Sequence, residues 1–179
     1  LPAGQLGGEY LVGVGAILRQ LMEQEAVEID RVATVCAGVL RAGGVIQAGM
    51  ISHFPMHQHG APGDPMHMSR LQPLSGESPS VPGIASKLKQ GDLLFFLGYY
   101  RRPVQAYDAA RRAGALIVEV ITGDGSTDSG RQPDFVIQPR WPFGDALTSV
   151  PGYDVEILPS SGIVQAAIYW AVIGSISQE

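Results

Sequence analysis

The chain has 179 residues, of which 45% are hydrophobic and 16% charged, with a formal net charge of −5. This size suits one domain spanning 1–179 around a single core, and the composition is too apolar for a disordered chain. The few Lys and Arg are scattered, which excludes a basic nucleic-acid footprint. Cys36, the only cysteine, excludes an internal disulfide framework and fits a reducing, cytoplasmic setting.

Residues 1–8 lack the basic and apolar regions of a secretory signal. Over 10–25, Leu11, Val14, Leu18, Leu21 and Met22 recur at helical spacing, although Gly13 and Gly15 weaken the helix. Ile29, Val32, Ala33, Cys36, Val39 and Leu40 form the apolar face of a second helix over 28–41, or of the same helix bent, and Gly43-Gly44 supplies a left-handed stop. Residues 45–48 read as a short strand. The following 49–82, rich in Pro, His, Met, Gly and Ser, form the longest irregular segment, of the kind that in compact domains is usually functional or disordered. One or two helical turns are expected at 84–89. The segment 92–97, apolar throughout after Asp92 and set between Gly91 and Gly98, suits a parallel strand buried on both faces. A helix follows at 103–113, with Pro103 in its first turn and Gly114 as its cap. Residues 116–122 form the next buried strand, 123–132 a polar turn region, and 135–137 and 155–158 short strands. Ser160 or Ser161 then caps a last helix over 162–177. Its apolar run, 163–176, falls short of the ~20 residues of a membrane span and is interrupted by Gln165, so it reads as a buried or subunit-facing helix.

Strands alternating with helices point to a parallel sheet covered on both faces, with ligands beyond the C-terminal ends of the strands. The segments after Ala48, Leu97, Thr122 and Leu158 are therefore the places to look.

Four stretches, taken in order, resemble the sugar isomerase (SIS) domain, and within it bacterial phosphosugar and phosphoheptose isomerases. They are the N-terminal helices running into Arg41-Ala42-Gly43-Gly44-Val45-Ile46; Gln90-Gly91-Asp92-Leu93-Leu94; Arg101-Arg102-Pro103-Val104 through Ala113-Gly114-Ala115; and Gly144-Asp145-Ala146 with Leu158-Pro159-Ser160-Ser161-Gly162. The resemblance implies an α/β fold: a three-layer α/β/α sandwich on a mostly parallel five-stranded sheet with flavodoxin-type topology. It also implies a homodimer, a phosphorylated sugar as ligand, and aldose–ketose isomerisation with no cofactor. Two loops depart from the family pattern. Gly-x-Gly-x-Ser is replaced by Ala48-Gly49-Met50-Ile51-Ser52-His53, and Ser-x-Ser-Gly by Leu97-Gly98-Tyr99-Tyr100.

The candidate site residues follow from these positions. Arg101 and Arg102, at the start of a helix, can replace the missing serines as an anion grip. Gly98 and Ser52 line the two ligand loops, and Ser160 and Ser161 open the last helix, with capping as their minimal role. His53 is the candidate base for moving a proton between adjacent carbons, since an imidazole pKa of about 6.5 suits that work; Glu77 or Asp145 is its carboxylate partner. The segment holding His53, His57, His59 and His67 with Met56, Met66 and Met68 suggests an alternative, a metal-binding loop, but its spacing matches no standard zinc pattern. A second alternative is a non-catalytic relative that uses the fold for assembly or regulation; a filled ligand position would mark it. No Gly-x-Gly-x-x-Gly follows a strand, and there is no phosphate-binding P-loop or Gly-x-Ser-x-Gly elbow.

Overall fold

Helices α1 (Gln5–Gln24) and α2 (Ala26–Arg41) open the chain and meet at Glu25. They are two helices rather than one. The buried Glu25 carboxylate accepts the Gln138 N–H at 3.1 Å and is paired with the Arg140 guanidinium, so the junction is tied to a loop more than a hundred residues away. The computed structural model describes residues 2–50, 59–70, 88–100, 102–122, 132–142 and 144–179.

The Gly43-Gly44 stop works as expected. Gly43 sits at φ 78°, its N–H donates to Leu40 O at 3.0 Å, and the Gly44 N–H donates to Val39 O at 2.9 Å, the two bonds of a Schellman end. A side chain on Gly44 would run into the Gly91 carbonyl, so this glycine is also required by close backbone approach.

Five strands form one parallel sheet in the order β2-β1-β3-β4-β5: β1 (Ile46–Met50), β2 (Ser69–Arg70), β3 (Leu93–Leu97), β4 (Leu116–Val120) and β5 (Phe135–Val136). This is the flavodoxin-type order, in which the chain reverses direction across the sheet between β1 and β3. The fifth strand is not the expected one. Residues 155–158 supply β7 (Glu156–Ile157), which pairs antiparallel with β6 (Thr148–Ser149) as a separate hairpin, while Ser69–Arg70 takes the sheet edge beside β1.

Side-chain alternation along the buried strands builds two cores. Leu93, Phe95, Leu97, Val118 and Val120 face α1, α2 and the last helix, α4 (Ser161–Ile176); Leu94, Phe96, Ile117 and Ile121 face α3 (Val104–Ala113). The result is the three-layer sandwich. Cys36 lies fully buried in the first core, and burial pushes its thiol up to about 12. The Gln-Gly-Asp-Leu-Leu motif is a structural staple: Gly91 turns at φ 87°, and the Asp92 carboxylate accepts the Val45 and Lys89 N–H groups at 2.9 and 3.0 Å, locking the entries of β1 and β3 together. Gly114 caps α3 in the left-handed conformation, as expected. The turns expected at 84–87 lie outside the described residues; Leu88 and Lys89 are not helical. Among the described residues no helix is long and apolar enough to cross a membrane.

Candidate ligand site at the C-terminal edge of the sheet

Beyond β3 the chain turns through Gly98, Tyr99 and Tyr100, and the N-terminus of α4 arrives beside it. Gly98 is buried; its N–H donates to Val120 O at 3.0 Å and its carbonyl accepts Gln165 Nε2 at 2.6 Å. A Cβ on Gly98 would come within 2.5 and 2.7 Å of the Phe96 ring, so the strand end requires glycine. Tyr99 packs edge-on against Trp141, with ring centroids 6.3 Å apart, and its hydroxyl lies 3.1 Å from Ser161 Oγ. The Tyr100 hydroxyl accepts the Gly144 N–H at 3.1 Å. The two tyrosines therefore reach across to α4 and to the turn that carries Asp145.

Asp145 sits on that turn at φ 52°, and its carboxylate is directed at the start of α4. Oδ1 accepts the Ser160 and Ser161 N–H groups at 2.9 and 2.7 Å, and Oδ2 accepts the Ser161 hydroxyl at 2.5 Å; the Ser160 hydroxyl is 3.4 Å from Oδ1. Neither serine caps the helix with its own side chain. The expected hydroxyl cap is thus replaced by a carboxylate from another part of the chain, which suits the positive end of the helix dipole. The same charge, after burial, pushes the Tyr10 hydroxyl up, and it contributes to the rise at Tyr100, where burial again comes first; both stay protonated phenols. Tyr10 closes this corner from α1 by donating to Pro159 O at 2.8 Å.

Of the site residues expected from sequence, Gly98, Asp145, Ser160 and Ser161 meet here; Asp145, offered as a carboxylate partner for His53, is engaged by the two serines. Arg102 does not face the corner. It is buried and donates from Nε to Glu119 Oε2 at 2.7 Å and from Nη2 to Oε1 at 3.0 Å, beneath α3, where Tyr107 OH also donates to Glu119 Oε2 at 2.7 Å. Burial, then the Glu119 charge, pushes the Tyr107 hydroxyl far up, so it remains a donor. An arginine held this way neutralises a buried carboxylate, because Glu119 lies on β4 between Ile117 and Ile121 on the inner face. Ser52, His53, Glu77 and Arg101 lie outside the described residues.

Tyr99 and Tyr100 were expected in the ligand loop only as departures from the family pattern, with no partner assigned; Gln165 and Trp141 were not expected in the site. The signal for Gln165 was its place as the one amide in an apolar helix. It is fully buried, and among the described residues its Oε1 has no hydrogen-bond partner, as is also true of Trp141 Nε1.

The histidine-rich segment is described only from His59 onward. His59 Nε2 is 2.8 Å from Met68 O, and His67 Nε2 is 2.9 Å from Ser177 Oγ. Asp64 accepts the Gly60 and Met66 N–H groups and the Tyr169 hydroxyl, which moors the segment to α4. Among the described residues no group of three His, Cys, Asp or Glu side chains could hold a metal ion; His53 and His57 lie outside them.

No protein-family model and no curated protein sequence matches the chain. Solved structures do. A phosphoheptose isomerase from Francisella tularensis aligns over 100% of both chains with a TM-score of 0.70 at 11% identity. A phosphoheptose isomerase from Neisseria gonorrhoeae aligns over 96% of this chain and 95% of its own, with a TM-score of 0.59 at 12% identity. The sugar isomerase domain of an RpiR transcription factor from Sphaerobacter thermophilus aligns over 97% and 88%, with a TM-score of 0.55 at 18% identity. Together with the strand order and the two-faced helical cover, these likenesses show that the chain has the fold of a sugar isomerase domain.

Proposed function

We propose that the chain is a single sugar-isomerase-type domain that binds a phosphorylated sugar at the C-terminal edge of its sheet. The observation that carries this reading is the convergence of the turn after β3 with the N-terminus of α4, through the Gln165–Gly98 and Ser161–Tyr99 contacts, on a sheet of flavodoxin order. Such an edge, with a helix start directed at it, is where α/β sheets take anionic ligands. The fold shared with two phosphoheptose isomerases supports a sugar phosphate over other anions. In this reading aldose–ketose isomerisation falls to His53 as base with Glu77, while Ser52 and Arg101 complete the ligand loops. Thermal denaturation against a panel of sugar phosphates, with the free sugars and inorganic phosphate as controls, tests it. Ligand at about 100 times its dissociation constant stabilises by about 2.7 kcal/mol. A shift with one sugar phosphate that its free sugar does not produce supports the reading, and a flat panel rejects it.

A non-catalytic, assembly or regulatory role is the second reading. It is favoured by the two tyrosines and the Asp145 carboxylate, which occupy the space and the donors a phosphate would use. Both readings share a homodimer. The apolar groove of about 570 Å³ between α1, α2 and α4, with exposed Met22 and Val27 on its rim, supports that assembly. Light scattering of Val27→Glu against the parent chain checks it: the variant is expected as a monomer.

A further inference from the structure

The donors at the start of α4 are already occupied by an anion that belongs to the chain. Asp145 takes the Ser160 and Ser161 N–H groups and the Ser161 hydroxyl, the same set that would hold one face of a phosphate. The carboxylate is held there by the turn behind it. Gly144 turns at φ 94° and donates to Tyr100 OH, and Asp145 itself is left-handed. On the other side of the contact, Leu158 lies at φ 68°, a conformation unusual for a residue with a bulky side chain. A separate feature points to a ligand at this corner. One helical turn beyond Ser161, the fully buried Gln165 donates from Nε2 to Gly98 O at the Gly98–Tyr99 turn, and its Oε1 has no partner among the described residues. A buried acceptor next to a strand end is unusual in a finished core, and a hydroxyl-bearing ligand would satisfy it.

We propose that Asp145 is a built-in competitor for the anionic ligand: its carboxylate closes the N-terminus of α4 in the resting protein, and a phosphate group enters only as the 144–145 turn withdraws. This rests on the phosphosugar reading and adds to it how access is controlled. Two like charges cannot share this small set of donors, so ligand affinity is set by a competition that the chain wins until a ligand offers further contacts, Gln165 among them. Withdrawal would also release the Tyr100–Gly144 bond, making Tyr100 part of the same latch.

The test is Asp145→Gly, because glycine adopts φ 52° without strain and the variant loses the carboxylate while the turn is kept. Melting is followed during titration with inorganic phosphate at constant ionic strength, with chloride as the balancing anion. The variant is expected to melt below the parent and to be restored saturably by phosphate, to which the parent does not respond; its affinity for phosphate should exceed the parent's at least tenfold. Equal responses in the two proteins, or none in the variant, overturn the proposal. If Asp145→Gly does not fold, Asp145→Asn keeps an acceptor for the two N–H groups without the charge and is held to the same comparison. A variant that gains phosphate binding but prefers no sugar phosphate upholds the competitor and rejects the sugar ligand. A parent chain that binds a sugar phosphate as tightly as the variant does upholds the ligand and rejects the competitor.

Discussion

Arg102→Met separates two roles for one arginine. Sequence position suggests an anion grip, whereas the geometry gives the side chain to Glu119. The Arg102 and Glu119 side chains are 5% and 2% exposed, and the pair is bidentate at 2.7 and 3.0 Å. Removing one partner of so buried a pair leaves a carboxylate without its counter-charge, at a cost of about 3–5 kcal/mol. For a chain of this length each kcal/mol moves the midpoint by roughly 2–4 °C, so the melting temperature should fall by about 6–20 °C. Tyr107→Phe removes only one hydrogen bond to a charged acceptor and should cost about 1.5–3 kcal/mol. The double variant Arg102→Met, Glu119→Leu should recover most of the loss, since a well-packed apolar replacement of both partners is often neutral. Urea denaturation of the single and double variants gives the coupling energy directly. If Arg102→Met stays within about 1 kcal/mol of the parent, a span typical of exposed ion pairs, and loses sugar-phosphate binding, the structural role is refuted and the anion grip restored.

Three further outcomes follow from the same geometry. Gly98→Ala should destabilise by about 1–3 kcal/mol, because the new methyl meets the Phe96 ring, itself held edge-on against Tyr107; urea denaturation checks it. Cys36, fully buried with its thiol pushed up to about 12, should not react with a thiol reagent at pH 8 in the native protein, and any slow labelling should track unfolding measured in parallel. The Asp64 carboxylate is raised by burial but lowered by more through the Gly60 and Met66 N–H groups, the Tyr169 hydroxyl and His59, leaving it below the usual range. A lowered folded-state value means stability that is present above the ordinary Asp pKa of about 3.9 and is lost as the pH falls through the lower value. Asp64→Asn should therefore flatten part of the acid limb of a stability–pH profile below about pH 4, where the parent still falls.

The elements that were legible in the sequence are those whose cause is local. Leu93–Leu97 is apolar throughout because both faces are covered, and Gly43 and Gly114 end helices because each needs a left-handed residue. What could not be read depends on distant partners. The choice between two helices and one bent helix rests on Glu25 meeting Arg140, and β2 is two residues, Ser69 and Arg70, defined only by backbone pairing with β1. Residues 156–157 have strand character, but nothing in them says that Thr148–Ser149 is the partner rather than the main sheet. In the candidate site, the approach of Ser160 and Ser161 to the strand end follows from their place before an apolar helix. The direction of Arg102 was also readable, from Glu119: a carboxylate inside the buried strand Leu116–Val120 requires a cation nearby.

The residues of the turn after β3 and of the α4 start form one connected arrangement. A serine at position 99 or 100 is too short to reach α4 or the Asp145 turn, whereas each tyrosine does so: Tyr99 to Ser161, and Tyr100 to the Gly144 N–H. Asp145 then completes the link by binding both serines of the α4 start. Tyr100 and Asp145 are thus linked, because the Tyr100 hydroxyl accepts the N–H of Gly144, the residue before Asp145. Gln165 Oε1 stays outside this network, buried and without a partner among the described residues. A corner built only for packing would gain from an apolar side chain at 165, since an unpartnered buried acceptor costs about 1–3 kcal/mol. Under the proposed competition the amide is instead the contact a ligand gains when the Asp145 turn withdraws.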